Sequence, residues 1–140
     1  MQHSAQEIGE RLKDAVEYNL PRLLAISEED ANRRAGPDPG WSRKQELGHL
    51  IDSATNNRVR FVVAGLTGKY AGPTYDGDGW VDLGGYSHAP WIDLIELWER
   101  LNRSLAPDNP KFMFVTVLLG IYDAVFLVLS LWIFEALVIE

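Results

Sequence analysis

The chain has 140 residues, of which 46% are hydrophobic and 24% charged, a size and composition typical of one globular domain with a buried core. Its 13 Lys and Arg residues and 20 Asp and Glu residues give a formal net charge of −7, which disfavours nucleic acid and anionic lipid as partners. The absence of cysteine excludes a disulfide, a thiolate nucleophile and a Cys-ligated zinc site. Because no apolar signal-peptide stretch precedes the first predicted helix, we expect a single cytoplasmic domain over residues 1–140.

The first predicted helix begins at Ser4, because Glu7 completes a capping-box pattern three residues later. Pro21 lacks a backbone donor and clashes with the carbonyl four residues earlier, so a bend or break is expected near residues 18–20. A short extra turn is expected within residues 27–34. The apolar residues that recur on one face of the first helix are Ile8, Leu12, Ala15, Val16, Leu20, Leu23 and Leu24.

The second predicted helix follows a further capping box, formed by Ser42 and Gln45. It is expected to run from Arg43 to about Thr67 and to end at Gly68, a typical C-cap residue. Its inward-facing residues are predicted to be Leu47, Leu50, Ile51, Ala54, Phe61 and Val62.

Residues 69–89 contain many glycines and show no helical period, so a long loop is predicted across the domain. The run Asp76-Gly77-Asp78-Gly79 resembles the start of a calcium-binding loop. This interpretation is rejected because Trp80, Val81 and Ser87 stand where a ligand, a glycine and a bidentate acid are required. His88 would reach the mouth of a site from this loop, although most loop histidines are simply solvated.

The third predicted helix begins after Pro90, a residue suited to a first helical turn. Surface ion pairs are expected between Glu96 and Arg100 and between Glu99 and Arg103. The inward stripe is predicted to consist of Trp91, Leu94, Ile95, Trp98, Leu101 and Leu105.

A fourth segment, residues 112–139, has only Asp123 and Glu135 as charged residues. A helix that is apolar all round is central in a bundle, packed against a second subunit, or in lipid. Asp123 lies near its middle, where a carboxylate disfavours membrane insertion, and the stripes of the other helices need an apolar partner. We therefore expect a buried or dimeric helix, with a membrane-anchored domain as the alternative.

A family resemblance is carried by a short motif on the second predicted helix and by the elements that follow it. The motif consists of Trp41-Ser42 and Glu46-Leu47-Gly48-His49-Leu50-Ile51-Asp52. It resembles the signature of the DinB-like (YfiT-like) superfamily, and residues 56–105 are similar to that family's layout of a glycine- and aromatic-rich loop and a helix entered through a tryptophan. The resemblance implies an all-α, up-down-down-up bundle of four helices, with a long loop between helices 2 and 3.

Many members of that superfamily are dimers that hold a divalent metal with three histidines, and some are thiol S-transferases that use mycothiol or bacillithiol. The resemblance places one metal ligand on the second helix, at His49, and two on the fourth helix. Leu127, Ser130 and Leu131 stand where the other two histidines are expected. Because zinc and nickel sites need about three protein ligands, we expect no tightly bound zinc or nickel.

Asp52 and Asp123 would serve as hard oxygen ligands beside His49 if their helices adjoin. Without a metal, His49 is a hydrogen-bonded helix histidine and Asp52 is a surface or network carboxylate. Asp123 is then a buried acid, paired with Arg58 or Arg60.

The sequence thus favours a degenerate relative of divalent-metal-dependent thiol S-transferases, which binds a small molecule within the bundle. It does not decide whether the protein is an enzyme. One alternative is a non-catalytic homodimeric interaction module, and another is the membrane-anchored domain. Neither a substrate nor a thiol cofactor is indicated.

Overall fold

The computed structural model describes residues 5–34, 40–69 and 75–105. The expectations for Ser4 and for residues 112–139, Asp123 included, lie outside these ranges. The described chain forms five α-helices and one 3₁₀ turn: α1 (Ala5–Leu24), α2 (Glu28–Asn32), α3 (Arg43–Thr67), α4 (Gly77–Gly84), the turn Tyr86–His88, and α5 (Trp91–Leu105). The described ranges contain no strand, only an isolated antiparallel bridge between Arg34 and Ser42, so the predicted all-α class is confirmed.

Both predicted ends of α3 are confirmed. The Gln45 backbone N–H donates to Ser42 Oγ at 3.3 Å, and the Ser42 N–H donates to Gln45 Oε1 at 3.0 Å, which completes the capping box. Gly68 takes the left-handed conformation with φ of 73°, and its N–H donates to the Ala64 carbonyl at 2.8 Å. These local contacts set where the motif residues lie along the helix.

The main core lies where α5 packs against both α1 and α3. The predicted inward residues of α5 are buried, apart from the partly buried Leu101. Two predicted core residues are wrong, since Leu24 is 52% and Val62 is 41% exposed. Leu24 is the last residue of α1, and Val62 is rotated by ~100° from the buried Phe61 and points away from the core. The buried core members are Val16, Leu23, Ala31, Leu47, Leu50, Ile51, Trp91, Leu94, Ile95 and Trp98.

The bend or break predicted near residues 18–20 is not a break, because α1 continues through Pro21 to Leu24. Pro21 lies close to the end of the helix, where few backbone bonds depend on it, and its carbonyl accepts from the Ala25 N–H at 3.2 Å. The extra turn predicted within residues 27–34 is confirmed as α2, which is capped by Ser27.

The interpretation of residues 69–89 as a loop without helix is wrong for residues 77–84, which form α4. Asp76 begins this helix by accepting from the Gly79 N–H at 3.1 Å, so the Asp-Gly run is an N-cap and not a cation loop. Gly85, with φ of 64°, ends the helix. Burial of Val81 and packing of α4 on α3 stabilise a segment whose glycines weaken its intrinsic helix propensity.

Across the described ranges, none of the helices has the length and apolar character needed to span a membrane.

Candidate functional site

One side of α3 carries four polar residues, which we call the His49 face: Glu46, His49, Asp52 and Ser53. Counted from Glu46, the other three lie three, six and seven residues further on, which places all four along neighbouring turns on one side of the helix. Packing of α4 and of the 3₁₀ turn against α3 brings aromatic side chains to this face.

His49 is surrounded by aromatic rings and by the start of α4. Its Nδ1 lies 3.1 Å from the Tyr75 hydroxyl oxygen, and its ring centroid lies 5.8 Å from that of Tyr75 and 5.1 Å from that of Trp41. A Cβ atom on Gly77 would lie 3.0 Å from His49 Cε1, so the backbone of α4 reaches the imidazole. The predicted helix histidine is therefore a hydrogen-bonded group in a partly buried aromatic setting.

Asp52 is a buried carboxylate, 7% exposed, that accepts a hydrogen bond from the Tyr86 hydroxyl through Oδ1. Its other oxygen, Oδ2, is buried and has no hydrogen-bond partner. Of the two metal-free alternatives for Asp52, the structure therefore shows a network carboxylate and not a surface one. Asp52 and His49 lie one helical turn apart, each with a tyrosine hydroxyl bound to it.

The Tyr86 ring is held between two glycines. A Cβ atom on Gly48 would lie 2.1 Å from Tyr86 Cδ2, and one on Gly84 would lie 2.4 Å from Tyr86 Cε2. Any side chain at either position would displace the ring, so the two glycines fix the direction in which the phenol reaches Asp52. The contact with Tyr86 explains why the motif has a glycine at position 48.

Sequence reasoning missed two residues of this face, Ser53 and Glu46, of which Glu46 is the ionisable one. Its Oε2 is buried without a hydrogen-bond partner. Burial raises the pKa of Glu46 to about 7, and the positive charge of Arg43 only partly opposes the shift. Its position three residues before His49 was a signal that could have drawn attention to it, whereas the roles of Tyr75 and Tyr86 follow from contacts 26 and 34 residues apart in sequence.

Burial dominates the electrostatics of the site. It lowers the pKa of His49, against the opposing charges of Asp52 and Asp78, and so keeps the imidazole neutral at neutral pH. Burial also raises the pKa of Asp52, although the Tyr86 hydrogen bond opposes that shift. The phenol pKa values of Tyr75 and Tyr86 are raised, first by burial, so both hydroxyls stay protonated. The site therefore offers neutral donors and acceptors beside two carboxyl groups, those of Glu46 and Asp52.

Of the three metal ligands that the resemblance implies, only His49 lies within the described residues. No group of three His, Cys, Asp or Glu side chains within residues 5–34, 40–69 and 75–105 is placed to hold a metal ion. His49 Nδ1 and Asp52 Oδ1 are already hydrogen-bonded to Tyr75 and Tyr86. His88 lies exposed on the 3₁₀ turn, and Asp123 lies outside the described residues. The structure thus brings together His49 and Asp52, but not a third ligand.

Comparison with known proteins finds no matching protein-family model, curated protein or solved structure.

Proposed function

We propose that this chain is a DinB-like four-helix domain in which the His49 face binds a small molecule without a complete transition-metal centre. The observation that carries the proposal is the pair of buried oxygens without hydrogen-bond partners, Asp52 Oδ2 and Ser53 Oγ, one turn from His49. The proposed bundle has residues 112–139 as its fourth helix. The motif on α3 supports the family proposal.

Unpartnered buried oxygens are unfavourable in a fold that serves only stability. Leaving such a group without a hydrogen bond costs roughly 1–3 kcal/mol, and most buried polar groups in proteins are therefore paired. A bound molecule that donates hydrogen bonds to Asp52 and Ser53 would remove this cost. Groups that are unsatisfied in the free protein and satisfied on binding are typical of ligand sites.

The thiol S-transferase chemistry of the resembling family is not carried over in this proposal, because Leu127, Ser130 and Leu131 stand where two of its three metal ligands are expected. His49 is a neutral imidazole whose Nδ1 is held by Tyr75, and Tyr86 presents its hydroxyl to Asp52. These groups orient a ligand by hydrogen bonds.

Ligand-observed NMR tests the proposal with four small probes: N-acetylcysteine, butylammonium, butyrate and butanol. We expect the wild-type protein to broaden the signals of at least one probe, His49→Ala to abolish the effect, and His88→Ala to retain it. His88 is an exposed histidine on the 3₁₀ turn and is the matched control. The proposal is wrong if no probe is broadened, or if His49→Ala binds as well as the wild type.

A second candidate function, a homodimeric interaction module, is favoured by an apolar stripe on the C-terminal half of α3. Val59, Val62, Val63 and Leu66 are 52%, 41%, 36% and 81% exposed, and their spacing places them on one side of the helix. An exposed apolar stripe of this kind is suited to pairing with its own copy across a twofold axis. We therefore propose a second copy of this chain as its partner, although the sequence had favoured residues 112–139 as the interface.

A further inference from the structure

The two unpartnered oxygens of the His49 face lie beside two phenols. Asp52 and Ser53 are 7% and 6% exposed, so each is more than nine-tenths buried. Asp52 binds the Tyr86 hydroxyl, and Ser53 lies near the Tyr75 hydroxyl. The two phenols are themselves neighbours, since Tyr75 adds to the effect of burial and of Asp52 in raising the pKa of Tyr86. Asp52 and Ser53 are consecutive residues of α3, and with the two phenols beside them they define one region of the His49 face.

This region is rich in hydrogen-bond acceptors. Asp52 Oδ2 can only accept when the carboxyl is ionised, and Ser53 Oγ has free lone pairs. If Tyr75 donates its proton to Nδ1 of the neutral His49, the phenol oxygen becomes a third acceptor. Three acceptors in one place match the three donors of a primary ammonium group.

The charged side chains that act on His49 and Tyr75 are negative. Asp52 and Asp78 are the acidic neighbours that act on His49. Asp52 also acts on Tyr75, together with Asp76. No Lys or Arg of the described residues is among the charges that act on Asp52. A cation therefore meets attraction without a competing side chain, and the net charge of −7 adds a favourable long-range field.

Aromatic rings extend the site beyond the acceptors. The Tyr75 centroid lies 5.2 Å from that of Trp80 in an edge-on arrangement, and Trp41 lies against His49. Aromatic faces attract organic cations and also cover an attached alkyl chain. An inorganic divalent cation fits less well, because no set of three ligand side chains is present in the described ranges.

We propose that the His49 face binds a small organic cation, a primary alkylammonium ion, whose charged group is held by Asp52 Oδ2, Ser53 Oγ and the Tyr75 oxygen. This inference rests on the proposed small-molecule site and adds the class of ligand. It assigns the unpartnered buried oxygens a specific partner, with a charge-assisted hydrogen bond to Asp52 as the strongest contact.

Isothermal titration with butylammonium, butanol and butyrate tests the inference. A charge-assisted hydrogen bond contributes roughly 1.5–3 kcal/mol, so we expect butanol and butyrate to bind at least about tenfold more weakly than butylammonium. Asp52→Asn should lower the affinity for butylammonium by about tenfold or more, and Ser53→Ala by several-fold. Asp14→Asn, which changes an exposed acid on α1, should leave it unchanged.

The possible failures point to different conclusions. If butanol or butyrate binds as tightly as butylammonium, the cation inference is overturned while the small-molecule site stands. Equal binding of butylammonium by wild type and Asp52→Asn also overturns it, because the ammonium group then lies elsewhere. If no probe binds, both the cation inference and the proposed small-molecule site are wrong. Should Asp52→Asn fail to fold by circular dichroism, Ser53→Ala and Tyr75→Phe decide: unchanged affinity in both overturns the inference.

Discussion

Gly48 and Tyr86 are in direct contact across the α3 surface, at a distance that leaves no room for a side chain on α3. A Cβ atom at position 48 would lie 2.1 Å from Tyr86 Cδ2, well inside the contact distance of two carbons. The same phenol donates its hydrogen bond to Asp52 one turn further along α3. A glycine on the helix thereby sets the position of a hydroxyl that binds the next turn.

Gly48→Ala is accordingly expected to displace Tyr86 and to destabilise the fold by about 1–3 kcal/mol, the usual range for an overpacked site. Urea unfolding measures the change. Gly65→Ala, at an exposed position of the same helix, is the control and should stabilise by up to about 1 kcal/mol, because alanine favours a helix more than glycine does. Equal effects of the two substitutions would show that Tyr86 does not pack on Gly48.

Glu46 is expected to make stability depend on pH in the direction opposite to a paired carboxylate. Its pKa in the folded state is raised to about 7 from an ordinary value of 4.5, so the folded protein holds a proton that the unfolded chain releases. The wild type should therefore lose stability as the pH rises from 4.5 through 7. Glu46→Gln removes this loss, so it should raise the urea midpoint at pH 8 and leave it nearly unchanged at pH 4.5.

The control for this experiment is Glu96→Gln on the exposed surface of α5. Its effect on the urea midpoint should be the same at both pH values. A similar pH-independent effect of Glu46→Gln would mean that the Glu46 carboxylate is ionised without penalty in the folded protein.

Glu28 joins three helices, because it pairs with the buried Lys44 ammonium of α3 and accepts the Trp91 N–H of α5 at 2.8 Å. Its hydrogen bonds, first to Lys44 and then to Trp91, lower its pKa, so its contribution to stability is present above 4.5 and is lost as the pH falls below that value. Glu28→Gln should lower the urea midpoint at pH 7 and have less effect at pH 3.

Glu29→Gln is the matched control for this change, since Glu29 lies in the same first turn of α2 and pairs with the exposed Arg33. We expect Glu29→Gln to change the urea midpoint little at either pH, as is usual for surface ion pairs. If both substitutions act equally, the Lys44 ion pair does not stabilise the junction.

The purified protein is expected to carry no stoichiometric zinc or nickel, because His49 and Asp52 supply at most two ligands among the described residues. Elemental analysis of protein purified without chelators measures this, and His49→Ala is the comparison. Near-stoichiometric metal that disappears in His49→Ala would contradict the prediction and would restore the transferase interpretation. Asp52 and Asp123 would then be the next residues to substitute.

The dimer prediction concerns the exposed stripe on α3. Val62→Lys should convert a dimer into a folded monomer in sedimentation velocity, because a charge in the centre of an apolar interface opposes association. Leu97→Lys, at an exposed apolar position of α5 outside the stripe, should leave the dimer intact. A wild-type protein that sediments as a monomer at high concentration would rule out this function.

Local features of this fold were readable from the sequence, because their signals lie within a few residues of one another. Ser42 with Gln45 and Gly68 define α3 through contacts with the adjacent turn, and hydrophobic periodicity identifies the buried side of α5. Hydrophobic periodicity does not show at which residue a helix stops packing against the neighbouring helices. This explains the errors at Leu24 and Val62. The helix at residues 77–84 was missed because tertiary packing of Val81 outweighs the low helix propensity of three glycines.

The site was only partly predictable for the same physical reason. His49 and Asp52 were identified because they share one short motif on one helix. Tyr75 and Tyr86 reach them from a separate segment, through contacts that no periodicity encodes, and Gly48 is informative only once Tyr86 is seen against it.

Trp91 is held from two directions, and this makes it a built-in reporter of how the helices open. Its backbone N–H binds Glu28 at the start of α2, and its indole N–H binds the Leu23 carbonyl at the end of α1, at 3.0 Å. Hydrogen exchange at the two nitrogens follows separate contacts of the same residue. Equal opening free energies, each calculated with the intrinsic exchange rate of its own N–H, would mean that α1, α2 and α5 open as a single cooperative unit. A lower opening free energy at the amide would mean that α2 detaches while the tryptophan stays docked on α1.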